Sequence, residues 1–169
     1  MFNNNHLKRH YPLVYWADNS LLRSVCQDIL KITNKHKVLA KNLLILMHEY
    51  DGVGLAAPQI WKLYRMAAVT QRNTSKKNRR KNDEFVMINP KILFRSEELE
   101  SDVEWCLSLP WVEWRVTRSS TITVQYTKPD WTLHIHKATW FNARVILHEI
   151  DHLDWILFID KLDWKWLSG

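Results

Sequence analysis

Apolar positions along the chain fall into three helical stripes and a run of shorter alternating segments. Residues Leu21 to Ile32 and Val38 to Tyr50 carry apolar side chains at helical spacing, with Leu39, Leu43, Leu46, Met47 and Tyr50 on one stripe. Gly52-Val53-Gly54 then breaks the pattern. Tyr64 to Thr70, Phe85 to Asn89 and Ile92 to Arg95 read as short strands. Thr121 to Tyr126 alternates, with Ile122, Val124 and Tyr126 to one side, and Leu133 to Lys137 follows. Pro129-Asp130-Trp131 stands between these two runs, where a hairpin turn belongs. The last periodic stretch, Phe141 to Leu153, puts Phe141, Val145, His148 and His152 along one helical face. Helix, then strands, then helix predicts an α+β fold.

Length and composition narrow the setting. At 169 residues, with 46% apolar and 25% charged residues, the chain predicts one soluble domain over 1–169. No apolar run approaches the ~18 residues of a membrane helix, and the first residues lack the basic head and apolar stretch of a secretory signal. Two cysteines, Cys26 and Cys106, do not make a disulfide framework, so a cytoplasmic location is expected. The net charge of +6 is local. Residues 71–83 hold Arg72, Lys76, Lys77, Arg79, Arg80 and Lys81 against Asp83, and so account for +5 of it. That segment reads as an exposed basic surface loop, with polyanion contact as the lesser alternative.

The chemistry concentrates in His148-Glu149-Ile150-Asp151-His152. Two histidines four positions apart on a helix share a face, ~5–6 Å apart at Cβ, and can grip one ion. Glu149 lies about 100° further round the helix, near enough to reach a water on the ion without competing as a ligand. A catalytic ion of this kind usually takes three protein ligands. For the third, the residues alone leave His134, His136, His48 and Cys106 open.

Three segments, Gly52-Val53-Gly54-Leu55-Ala56-Ala57-Pro58-Gln59, Glu104-Trp105-Cys106-Leu107-Ser108 and His148-Glu149-Ile150-Asp151-His152, together resemble the signature motifs of peptide deformylases. They stand in that family's order, and the similarity extends from about Tyr11 to Leu162. The resemblance implies short antiparallel strands packed around a central metal-binding helix. It implies Cys106, His148 and His152 as ligands of iron(II), with zinc(II) or nickel(II) compatible with the same donors. It further implies Glu149 as general acid/base, with the Gln59 amide and the Leu107 backbone N–H as donors to an oxyanion. Val53 and Gly54 would line the groove for an extended peptide, while Phe141, Val145 and the stem of Arg144 would line a methionine pocket. The implied substrate is an N-formylmethionyl nascent peptide, met by a monomer with at most weak ribosome contact. The competing expectations are an H-E-x-x-H metalloprotease and a catalytically impaired metal-binding homologue.

One departure concerns composition. The chain has three glycines and ten tryptophans, where average usage gives about 12 glycines. Trp131, Trp155 and Trp164 each follow an aspartate, and Asp-Gly is a favoured turn dipeptide because glycine tolerates φ > 0. Glycine is the expected residue at Trp61, Trp105, Trp140 and Trp155, and plausible at Trp16, Trp111, Trp114, Trp131, Trp164 and Trp166. A source that reads UGA as glycine, with UGA written as tryptophan, would produce this pattern.

Overall fold

The stripe beginning at Leu39 forms helix α2, Asn34–Glu49, which buries Leu39, Ala40, Leu43, Leu46 and Met47. Its start is capped in reverse: the backbone N–H of Thr33 donates to Nδ1 of His36 at 3.1 Å. A short helix α1, Asn5–His10, precedes it in the computed structural model, which describes residues 5–72 and 83–161. Most of the basic segment expected at 71–83, together with Trp164 and Trp166, lies outside the described residues. No described helix is long and apolar enough to cross a membrane.

The strands are β1 Gly54–Ala56, β2 Met66–Gln71, β3 Asp83–Arg95, β4 Leu99–Cys106, β5 Leu109–Ser119, β6 Thr121–Thr127 and β7 Leu133–Thr139. Five form an antiparallel sheet in the order β1-β2-β3-β6-β7, and β4 and β5 pair as a separate hairpin. The fold is α+β, as the pattern predicts. Helix α3, Trp140–Leu153, packs on the sheet through Ala143, Ile146, Leu147 and Ile150. Against them lie Ala67, Val69, Ile122 and Val124 from the strands. Each fully buried side chain of valine or isoleucine size contributes about 1.5–3 kcal/mol, which fixes the helix in place before any of its polar residues are considered. The carrier of the histidines is thus a core helix.

Two expectations change. Leu21 to Ile32 is not helical. Its backbone is claimed by tertiary partners instead, with Cys26 N–H donating to Leu153 O at 3.1 Å and Gln27 N–H to Leu63 O at 2.9 Å. Asn89 clamps Ile29 from both sides, accepting from its N–H at 2.9 Å and donating to its carbonyl at 3.0 Å. The two strands read from Phe85 to Arg95 are one strand, β3, whose pairing with β6 shifts register near Pro90, where no N–H is available. The β4–β5 hairpin, where the sequence predicts no strand, hides its alternation because the charged Glu104 and Arg118 are buried while Val103 and Trp105 are exposed.

Left-handed backbone occurs at eight described residues, none of them glycine: Asp51, Asn89, Trp16, Trp61, Trp111, Trp131, Trp140 and Trp155. Asp and Asn tolerate this region. For other residues with a Cβ it costs roughly 1–2 kcal/mol each.

Candidate active site and metal centre

Three elements deliver the site. The β4–β5 register shifts between Trp105 and Cys106, leaving Pro110, Trp111 and Val112 unopposed in β5, so that Cys106 pairs with Leu109 and ends its strand. Cys106, His148 and His152 then bring one donor atom each within 4.8 Å of one another. Cys106 Sγ lies 3.2 Å from His152 Nε2. Of the four candidates for a third ligand, only Cys106 joins the histidine pair. His48 instead contacts Glu84 at 2.9 Å, and His136 contacts Gln71 at 2.6 Å, while His134 stacks beside Tyr126.

The donor set fits a divalent transition-metal ion: one thiol and two imidazoles, all largely buried. His148 Nδ1 lies 2.9 Å from Glu104 Oε2. An ionised carboxylate only accepts, so Nδ1 carries the hydrogen and Nε2 is left for the ion, a common arrangement behind metal-binding histidines. Burial and the neighbouring His148 push His152 well below the ordinary histidine range, which keeps its ring in the neutral, ligating form. In His148 burial opposes charge, but hydrogen bonds to Cys106 and Glu104 outweigh it and lift the ring to about 10. Ligation at this ring therefore exchanges a proton for a cation.

Glu104 is the hub of a buried ionic cluster that sequence reading did not single out. Burial alone would raise its carboxyl, yet Arg118 and His148 hold it well below the usual carboxylate range. Arg118 grips both oxygens, with Nη2 donating to Oε2 at 2.7 Å and Nε to Oε1. Arg118 Nη1 also donates to Asp151 Oδ2 at 2.7 Å. Arg144 Nη1 donates to Glu104 Oε1 at 2.8 Å and to the Val116 carbonyl at 2.7 Å. Asp151 thus ties the middle of the histidine motif to the hairpin that carries Cys106. A buried charge without partners is costly, so only the packed fold could reveal that these four belong together.

Beside the histidines, Glu149 is 4% exposed, and its Oε2 has no hydrogen-bond partner among the described residues. Burial pushes its carboxyl up to about 7. Gly54 leaves the room it occupies: a Cβ there would sit 2.2 Å from Glu149 Oε1. Gln59 is buried on the turn after β1; its Oε1 accepts from Ala56 N–H at 2.8 Å. That bond turns Nε2 the other way, toward Ser108 Oγ at 3.1 Å and Cys106 Sγ at 3.5 Å. A cleft runs past these groups. Val53, Gly54, Leu107, Phe141, Arg144 and Val145 line it, and Trp105 stands on its wall, 51% exposed. Ten of the eleven predicted site residues line this cleft, and His152 lies behind it against Cys106.

Known proteins share this arrangement of chain and fold. The family described as polypeptide deformylase matches residues 11–165. Peptide deformylase of Natranaerobius thermophilus is 36% identical over 146 residues, covering 86% of this chain and 88% of that protein. Its counterpart in Finegoldia magna is 32% identical over 145 residues, covering 86% and 85%. Among solved structures, the class I type b peptide deformylase of Acinetobacter baumannii with Met-Ala-Ser bound superposes with a TM-score of 0.81 at 29% identity, covering 90% of this chain and 98% of that one. The peptide deformylase of Thermotoga maritima gives a TM-score of 0.80 at 30% identity, covering 90% and 97%. With sequence, fold and buried donor set in agreement, this chain belongs to the polypeptide deformylase family.

Proposed function

We propose that the chain is a metal-dependent hydrolase that removes the formyl group from the N-terminal formyl-methionine of newly made polypeptides, as one catalytic domain over 1–169. The observation that carries this reading is the convergence of Cys106, His148 and His152 beside a buried, unpartnered Glu149 oxygen. Cys106, His148 and His152 would hold the ion, iron(II) by family and zinc(II) or nickel(II) by donor chemistry. A bound divalent ion supplies Lewis acidity, which acidifies water and polarises a carbonyl oxygen.

The protein's own groups do the rest. Glu149 takes a proton from water as the water oxygen bonds to the formyl carbon. Charge building on the formyl oxygen meets the Gln59 amide and the Leu107 backbone N–H; one such donor is typically worth ~100–1000-fold in rate. Glu149 then delivers the proton to the departing amine as the C–N bond breaks, leaving formate and a free N-terminus. Strand β1 is the outer strand of its sheet, so Val53 and Gly54 offer a backbone edge on which an extended peptide can add as a strand. Phe141, Val145 and the stem of Arg144 form the methionine pocket. The Met-Ala-Ser held by the Acinetobacter baumannii relative is what this reaction would leave from formyl-Met-Ala-Ser. A cytoplasmic monomer completes the reading, with any weak ribosome contact falling to the basic segment at 71–83.

A metalloprotease reading gives Cys106 and Gln59 no role. Metal-loaded protein is expected to release formate from formyl-Met-Ala-Ser and to leave the unformylated peptide intact. Cleavage of an internal peptide bond without formate release would refute the proposal.

A further inference from the structure

The tryptophans occupy backbone that tryptophan does not suit. Of the eight in the described residues, six have φ between 52° and 76°. These are Trp16, Trp61, Trp111, Trp131, Trp140 and Trp155; the other two left-handed residues are Asp51 and Asn89, types that accept this region. A large aromatic side chain there is an outlier, and six together have no ordinary explanation in side-chain chemistry.

Local hydrogen bonding shows that the backbone itself asks for glycine. After α3, Asp154 is the C-cap, Trp155 is left-handed at φ 58°, and Ile156 N–H donates to Asp151 O at 2.9 Å. After the turn Ala57–Ile60, Trp61 is left-handed at φ 66° and Lys62 N–H donates to Ala57 O at 3.0 Å. Both are the six-to-one closure of a helix end, whose left-handed residue is most often glycine. Helix α2 closes in the same way, through Asp51 and a bond from Gly52 N–H to Met47 O at 2.8 Å, and there the residue is one that tolerates the conformation. Trp131 makes the same demand in a hairpin, as the second residue of Asp130-Trp131 between β6 and β7, where Trp131 N–H donates to Lys128 O at 3.0 Å.

The side chains are also poorly placed for tryptophan. All eight described tryptophans are exposed, from 37% at Trp114 to 98% at Trp111, although tryptophan is on average highly buried. No ring–ring or cation–π contact among the described residues involves a tryptophan. Trp105 and Trp114 have extended backbone in β4 and β5, so only their exposure and their share in the glycine deficit place them in the group.

We infer that the polypeptide made in the source cell carries glycine, not tryptophan, at these positions, through UGA codons that its translation apparatus reads as glycine. One codon assignment accounts for the left-handed backbone, the exposed indoles, and the shortage of glycine together, and it extends to Trp164 and Trp166. The substrate cleft changes with it: glycine at 105 removes the indole that stands beside Cys106.

The test has two readouts, the ten codons in the source genome and tandem mass spectrometry of peptides from the protein isolated from source cells. The expected result is UGA at all ten positions, with peptides spanning residues 61, 131 and 155 having the mass of glycine. UGG codons at most of the ten positions, or peptides of tryptophan mass from UGA codons, would overturn the inference.

Discussion

Single atoms govern the site most plainly at Gly54 and the two cysteines. The ideal Cβ of residue 54 would meet Glu149 Oε1 at 2.2 Å and its Cδ at 2.6 Å, so Gly54→Ala displaces the proton carrier rather than the fold. Misplacing a reacting group by about 1 Å costs on the order of 100-fold in rate. Steady-state kinetics should therefore show kcat/KM down by about that factor, with a Tm close to that of the parent; an unchanged rate would remove Gly54 from the account. Cys26 and Cys106 are both buried, but only Cys106 lines the cleft. Burial, the largest influence on Cys26, pushes its thiol up to about 12, so it holds no thiolate near neutrality. Iodoacetamide at neutral pH is expected to modify Cys106 in metal-stripped protein, to be blocked by added zinc(II), and to reach Cys26 only on unfolding. Peptide mapping that finds Cys26 modified first would contradict this.

At the scale of elements, α3 was legible because a core helix advertises its buried face through periodicity, and the histidines ride on the same period. The β4–β5 hairpin was not, since its inward positions include the charged Glu104 and Arg118 while Val103 and Trp105 face outward, which inverts the hydrophobic pattern. Leu21 to Ile32 shows the opposite failure, a helical stripe whose buried residues divide among three core clusters, Leu22 in one, Cys26 in a second, Ile29 and Ile32 in a third. Only the motif separates Cys106 from the other third-ligand candidates, and nothing in the sequence links Arg118 to Asp151, because the cluster joining α3 to the hairpin exists only in three dimensions. Glu104→Gln tests that joint. Removing one partner from a buried ion pair costs about 3–5 kcal/mol, and loss of an outer partner lowers metal affinity about 10–100-fold. The pH dependence has a definite sign. Because the folded pKa of Glu104 is depressed from the ordinary value of 4.5, its stabilisation is fully present above that value and fades as pH falls below it. Denaturant titrations should show this acid loss in the parent and a flatter profile in the variant. At the helix ends, Trp61→Gly and Trp155→Gly should each raise stability by about 1 kcal/mol, or roughly 2–4 °C in Tm. Trp114→Gly, on extended backbone, should not stabilise; a gain there equal to the others would uncouple the effect from φ.

At the scale of the molecule, two unrelated layers meet at one seam. A five-stranded sheet carries α3 and, through β1 and the turn after it, Gly54 and Gln59; the hairpin carries Cys106. The donor set is complete only when both are docked, which binds metal retention to folding. The class of fold and the last helix could be read from periodicity, whereas this seam could be anticipated only through motifs. Within it, Glu149 is the group whose removal should separate chemistry from structure. The most direct measurement is formate release from formyl-Met-Ala-Ser by Glu149→Ala and parent protein, with bound metal determined in the same samples. Equal metal content is expected, with a loss of turnover of at least about 100-fold, the lower range for a positioned proton carrier. Full turnover in the metal-loaded variant would contradict this.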